Sequence, residues 1–521
     1  MASPSRTAIR LAALVMAAAL IGWQYVGAHR SAHGAPLAGA TKPPPATAAP
    51  AASAPSWRLG QLTLHACELD QPNSALSSAA WCAAVRVPEN RADPHSRMIT
   101  LKVALIRSSA QVASKDVVAF LAGGPGQAAT ENWPAVAPAL QPLLAHRHVL
   151  LVDQRGTGGS HPLSCQPDED APEQADEPAA MRAQAQACLK QIEAQADPRY
   201  YTTTDAVADL EQVRQLLGAP TLDLIGVSYG TRLAQQYVMR HPEAVRAMVL
   251  DGVVPNALVL GEDFAANLDQ ALKAQFDRCR ADAQCAKRFG DPYQTLFQLR
   301  DALRANPHKV SFRDPQSYQS VRRVLDDSSL VSVVRVFAYN PITAALLPLS
   351  IDNAAHGDVG PLLGQAKLLS GDLADTLNSA MQYSVICSED ADLLKPRPQD
   401  AQTLLGNRMI ETFQAICPVW PKGARPVDFH QPLRSAVPSL LLSGQYDPVT
   451  PPRYAQEVAQ GLSNARVLVL AGQAHNVIAA GCTPRLLKDF IEQLDPRALD
   501  AGCLERLRPT PMFIDFNGAA P

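Results

Sequence analysis

Three short stretches of this chain carry side chains that could act together on a carbonyl carbon. Gly226-Val227-Ser228-Tyr229-Gly230 is a G-x-S-x-G. Between a strand and a helix, that pattern makes a sharp turn that lifts the serine above a sheet edge as a nucleophile. Asp447 follows an apolar run at 439–442, and His475 follows another at 467–470. A histidine can take the serine's proton and return it to a leaving group, while an aspartate fixes the imidazole tautomer and stabilises the imidazolium. Gly123-Gly124-Pro125-Gly126 is a fourth stretch, after the apolar run 117–121. Its backbone can approach a substrate closely, so the Gly124 N–H and the Tyr229 N–H are the expected oxyanion donors. Each stretch alone would also suit a plain turn or cap. Their joint placement after four apolar runs points to acyl transfer through a covalent serine intermediate, which needs no metal and no cofactor.

The elements that must position these residues are short apolar runs alternating with helical patterns. Strands are expected at 81–88, 99–107, 117–121, 148–152, 222–225, 247–250, 439–442 and 467–470. Helices are expected at 205–217, with Asp205 as N-cap, and at 229–240. Buried strands alternating with helices imply a mostly parallel sheet covered on both faces, an α/β fold. From 256 to 430 the pattern turns helical, at 262–282, 293–305, 328–338 and 359–370. That stretch reads as a mainly helical cap inserted between a first core part, 58–255, and a C-terminal part, 431–510. The cap leaves and re-enters at the edge that carries Ser228, Asp447 and His475. The Gly-rich run 156–160 lacks the spacing of a phosphate loop.

The chain has 521 residues, 47% of them apolar and 18% charged, with a net charge of −3. A large core is possible, and a nucleic-acid partner, which would ask for a basic stripe, is not expected. Arg6 and Arg10 precede 18 uncharged residues at 11–28 that end in Val26-Gly27-Ala28. This is the pattern of a secretory signal over 1–28, or of an uncleaved anchor, and is the only expected link to a membrane. The Ala/Pro-rich stretch 29–57 reads as a tether. Ten cysteines follow, and neighbour pairing gives Cys67–Cys82, Cys165–Cys188, Cys279–Cys285, Cys387–Cys417 and Cys482–Cys503. Disulfides suit an exported protein, periplasmic or secreted.

The order Ser228, Asp447, His475 is that of α/β-hydrolases. With GGPG at 123–126, Asp153-Gln154-Arg155-Gly156-Thr157-Gly158, Ile386-Cys387-Ser388-Glu389-Asp390 and Cys417-Pro418-Val419-Trp420, the chain resembles the exported tripeptidyl-aminopeptidase-like branch of that fold. This branch is related to the proline iminopeptidases. The resemblance spans roughly 58–505. One departure is Ala122, where proline iminopeptidases carry histidine before GGPG. The resemblance implies a serine exopeptidase acting on free peptide N-termini. Such an enzyme must recognise an ammonium group, for which Glu389 is the first candidate and Asp390 the second. The alternatives are a carboxylesterase or lipase with the same triad, and a non-catalytic binding protein on a hydrolase scaffold.

Overall fold

The computed structural model describes residues 55–165, 178–315, 317–365, 367 and 377–518. The expected signal at 1–28 and the tether up to residue 54 lie outside these residues. The expected tether overlaps a strand at its end, because Ser56 and Trp57 already open β1 (Ser56–Leu59). β2 (Leu62–Asp70), β3 (Ser77–Pro88) and β4 (Met98–Ile106) follow as an antiparallel meander. Then come β5 (Val117–Leu121), β6 (Val149–Val152), β7 (Leu222–Val227) and β8 (Val245–Asp251). A separate hairpin, β9 (His308–Arg313) and β10 (Ser320–Leu325), lies in the insertion. β11 (Ser439–Gly444) and β12 (Ala465–Leu470) complete a ten-stranded sheet of order β1-β2-β3-β4-β6-β5-β7-β8-β11-β12. From β6 to β12 every pairing is parallel, so those six strands end at one edge.

The reason is legible in the strand residues. VVAFL, VLLV and LDLIGV are buried at every position, as a strand covered on both faces requires. Alternate residues feed two cores. Val117, Ala119, Leu121 and Leu224 point to one side and pack with α2 (Pro178–Glu193), α3 (Thr203–Leu217) and α4 (Tyr229–Arg240). Val118, Phe120, Ile225 and Val249 point to the other, where α1 (Ala129–Leu140) and α13 (Thr483–Gln493) cover them. Helix α3 is capped by Thr202, whose side chain meets the Asp205 N–H while the Asp205 carboxylate returns to Thr202. Asp205 is thus the third helical residue of a capping box, not the N-cap.

The insertion between β8 and β11 holds α5 (Phe264–Ala281), α6 (Ala283–Phe289), α7 (Pro292–Ala305), α8 (Asp327–Ala338), α9 (Pro341–Ala355), α10 (Ser379–Glu389) and α11 (Arg408–Ile416). Part of the expected helix 359–370 lies outside the described residues. Helices α5, α7, α8 and α9 share a core of their own with the hairpin. Helices α10 and α11 do not join it. Ala380, Met381, Val385, Ile410 and Phe413 pack instead in the main core beneath the sheet edge. The first part of the insertion therefore has a core of its own, and the second part packs in the main core. Among the described residues, no helix is long and apolar enough to cross a membrane. Helix α12 (Pro452–Ala459) links β11 to β12.

Candidate active site

Ser228 sits between β7 and α4 with φ 54° and ψ −123°, a conformation that an L-residue keeps only when its surroundings hold it there. Its N–H donates to the Asp251 carbonyl at 2.8 Å, and its own carbonyl accepts from the Thr231 N–H and hydroxyl at 2.8 and 2.6 Å. The turn also needs glycine beside it. A Cβ at Gly230 would lie 2.1 Å from the Leu121 carbonyl oxygen, so only glycine lets α4 start against the end of β5.

The three expected residues meet. The Ser228 hydroxyl faces His475 Nε2 at 3.0 Å, and His475 Nδ1 faces Asp447 Oδ2 at 2.8 Å. Asp447 is buried, and its other oxygen accepts from the Val449 and Thr450 N–H groups, both at 2.8 Å. The Thr450 hydroxyl donates to Asp447 Oδ2, also at 2.8 Å. Burial works against ionised Asp447, but the adjacent imidazole and these donors hold its pKa below the usual carboxylate range. Burial likewise works against the His475 imidazolium, and the Asp447 carboxylate outweighs it and raises the pKa.

The Gly-rich turn abuts the nucleophile: a Cβ at Gly123 would lie 3.1 Å from Ser228 Cβ. Gly124 has φ 109°, a region closed to other residues. Its N–H makes no hydrogen bond among the described residues. Tyr229 is the first residue of α4, so its N–H has no carbonyl one turn back within the helix. Both expected donors are thus unengaged among the described residues, Tyr229 directly following Ser228 and Gly124 directly following the Gly123 that abuts it. Two contacts that sequence reasoning missed hold the turn. From the insertion, the Asn378 main-chain and side-chain N–H groups donate to the Gly126 carbonyl at 2.9 and 3.0 Å. Asp153, after β6, accepts from the Thr130 N–H and hydroxyl and from Gly159 N–H, tying the helix after the turn to its neighbour.

Glu389 and Asp390 end α10 side by side, both buried, with different partners. Asp390 is ion-paired with buried Arg232 at 2.9 Å, so its charge is already matched. Glu389 accepts from the Thr203 N–H at 2.6 Å and the Thr203 hydroxyl at 2.8 Å, and that hydroxyl meets the Tyr229 hydroxyl at 2.6 Å. No cation lies within ion-pair distance of Glu389 among the described residues. Burial first, and then the neighbouring Asp390 charge, push its pKa up to about 8. A carboxyl so perturbed, linked through the Thr203 hydroxyl to the Tyr229 hydroxyl of the residue after the nucleophile, is a candidate for a functional role. Sequence reasoning also missed Asp251, whose carboxylate accepts from the Val477 and Ile478 N–H groups at 2.8–3.0 Å and so fixes the loop after His475. Its place at the end of β8, on the same edge as Ser228, was the available signal. The ten cysteines pair as neighbours in five disulfides.

A profile for the alpha/beta hydrolase fold matches residues 116–479, from the start of β5 to just beyond His475. The chain belongs to the alpha/beta hydrolase family. Among members of this family, it is 26% identical over 460 residues to the serine protease Hip1 of Mycobacterium tuberculosis, covering 80% of this chain and 85% of that protein. It is 30% identical over 209 residues to a tripeptidyl aminopeptidase of Streptomyces coelicolor, covering 36% of this chain and 38% of that one. A proline iminopeptidase of Neisseria gonorrhoeae is 32% identical over 136 residues, 26% of this chain and 32% of its own. Its alpha/beta hydrolase relatives thus include peptidases.

Proposed function

We propose that the chain is an exported serine aminopeptidase that releases residues or short peptides from free peptide N-termini. One juxtaposition carries the reading: a hydrogen-bonded Ser–His–Asp chain at a strained elbow, and, linked to it through Thr203 and Tyr229, a buried acid with no cation at ion-pair distance among the described residues. Ser228 attacks the scissile carbonyl while His475 Nε2 takes its proton. The oxyanion forms against the Gly124 and Tyr229 N–H groups. The imidazolium, held by Asp447, gives the proton to the leaving amine, and water then releases the acyl group by the same steps in reverse. Glu389, rather than Asp390, receives the substrate's ammonium, because the charge of Asp390 is already matched by Arg232. An α-amino group titrates near pH 7.7–8.0. Near pH 8, an acid whose pKa is about 8 and an amine of similar pKa form an ion pair without net proton uptake or release, and at lower pH pairing releases the proton that Glu389 holds. That pair contributes on the order of 2–4 kcal/mol when desolvated. The peptidase relatives support the substrate class, and the five disulfides support an oxidising compartment.

The test is a panel of aminoacyl-, dipeptidyl- and tripeptidyl-fluorophores, each with and without an N-terminal block. Free-amine substrates should be cleaved and blocked ones spared, and the length of the best substrate gives the size of the released piece. Glu389→Gln should lower kcat/KM on free-amine substrates by roughly 30- to 1,000-fold while sparing a small acetyl ester. Equal cleavage of blocked and free substrates would make the protein an esterase or unselective hydrolase. Equal loss on peptide and ester would make Glu389 a support of the fold.

A further inference from the structure

The insertion meets the base as well as the oxyanion turn. Tyr339 stands at the corner between α8 and α9, and its carbonyl accepts from the His475 N–H at 3.1 Å. Its ring meets the imidazole edge-on, with centroids 5.3 Å apart and planes at 78°. The ring is half-buried, and its hydroxyl makes no hydrogen bond among the described residues. The main-chain bond would survive any side-chain change, so it does not account for the ring. We propose that Tyr339 walls the subsite for the first residue on the leaving side of the scissile bond, and that this subsite favours an apolar or aromatic side chain. The proposal rests on the serine-peptidase reading.

The chemistry of the base locates the subsite. His475 returns its proton to the leaving nitrogen from Nε2, so that nitrogen must come within roughly 3 Å of Nε2. The other edges of the imidazole are closed. Asp447 and Thr450 occupy the Nδ1 side, at 2.8 and 3.2 Å. Gly252 closes the Cε1 side, where even a Cβ would come within 3.1 Å of the ring. The cap side carries Tyr339, so a side chain next to the leaving nitrogen runs along its ring. Ile342, 57% exposed, lies three residues after Tyr339 in the first turn of α9.

Two substrate series test this with the wild type, Tyr339→Ala, Tyr339→Gln and Tyr339→Phe. One is a set of peptides with a constant acyl part and Gly, Ala, Leu or Phe as the first leaving residue. The other is a pair of esters with a constant acyl part and ethyl or 2-phenylethyl alcohol as the leaving group. The readout is the ratio of kcat/KM for the large to the small leaving group. That ratio should favour the large group in the wild type, fall about tenfold in Tyr339→Ala and Tyr339→Gln, and persist in Tyr339→Phe. Fluorophosphonate labelling of Ser228 in each variant confirms an intact site. A ratio unchanged in Tyr339→Ala and Tyr339→Gln would overturn the proposal, even if both rates fell, because the ring would then act only through His475. If the wild type cleaves the esters but no peptide, the aminopeptidase reading has failed. The phenylethyl-to-ethyl ratio then still decides for or against the subsite.

Discussion

Asp251 is a buried carboxylate beside the triad that takes no chemical step of its own. Three hydrogen bonds to the Val477 and Ile478 N–H groups make it the anchor of the His475 loop, and its carbonyl holds Ser228. Burial pushes its pKa up to about 6, against the pull of those N–H groups. Above that value it adds a second negative charge near His475. In Asp251→Asn, an NH2 would face N–H donors, and kcat should fall roughly 10- to 100-fold, the equivalent of ~1–3 kcal/mol for an unsatisfied buried group. The pH profile separates charge from packing. A carboxylate favours the imidazolium, so its loss lowers the imidazole pKa and moves the acid limb of kcat/KM to lower pH. An unmoved limb would assign Asp251 to packing alone. Glu389 makes a separate pH prediction. Its folded pKa of about 8 stands above the ordinary 4.5, so the folded state holds an extra proton between those values. Its contribution is therefore complete below pH 4.5 and is lost as pH rises through about 8. Denaturant midpoints of the wild type should drop more steeply from pH 5 to 9 than those of Glu389→Gln. Parallel curves would refute this. For Ser228→Ala we expect loss of fluorophosphonate labelling and a fall in kcat on the order of 10⁶. Label appearing on another serine would move the nucleophile.

Elements decide whether these residues meet, and α3 is the clearest case. Its first residue, Thr203, holds Glu389, so its N-terminus must be fixed. The Thr202 hydroxyl caps it and Asp205 returns at 3.3 Å to the Thr202 N–H. Thr202→Ala should cost ~1 kcal/mol of stability, and Asp205→Ala about as much, because it loses the return bond at 3.3 Å, the Thr202 hydroxyl bond at 2.7 Å and the approach to Arg155 at 3.8 Å. Thermal melts in which Asp205→Ala is neutral would remove the acidic member from the capping box. Sequence alone points to Asp205 as the cap; the extended backbone at Thr202, with φ −115° and ψ 168°, places the cap there instead. Central strands were easier to read. VVAFL is apolar throughout and SLLLSG has a Leu440–Leu442 centre and is buried throughout, because helices cover both faces, and such runs stand out from their surroundings. β1 and β2 escaped because β1 has four residues and β2 carries His65, Glu68 and Asp70 at exposed positions. The cap hairpin HKVSFR/SVRRVL is charged and largely exposed, a pattern with no clear period. The triad was legible because each member follows an apolar strand. The grip of Asn378 on Gly126 and of Thr203 on Glu389 was not, since each spans more than 180 residues and depends on how the insertion folds back.

At the scale of the whole molecule, five short covalent loops staple a sheet whose sequence is interrupted by a long insertion. None joins the cap to the core strands across that gap. Hydrogen bonds bridge it instead, among them those from Asn378 to the Gly126 carbonyl and from the His475 N–H to the Tyr339 carbonyl. The disulfides therefore stabilise local segments and should do so unequally. In the chain-entropy account, the effect grows with the logarithm of the loop closed. Cys387–Cys417 closes the longest, with a sequence separation of 30, and Cys279–Cys285 the shortest, with 6. Replacing both cysteines by serine should cost about 3–4 kcal/mol for the first pair and about 2 kcal/mol for the second. The first pair also joins α10 to α11 two residues before Glu389. Its loss should therefore raise KM for free-amine peptides more than for an acetyl ester, whereas loss of Cys279–Cys285 should leave the ratio of the two unchanged. Denaturant unfolding and paired kinetics of the two double variants measure both effects. Equal destabilisation would show that strain or residual unfolded structure outweighs loop entropy. A KM ratio unmoved by loss of Cys387–Cys417 would show that α10 holds Glu389 through its packing against the main core, with no help from the bridge.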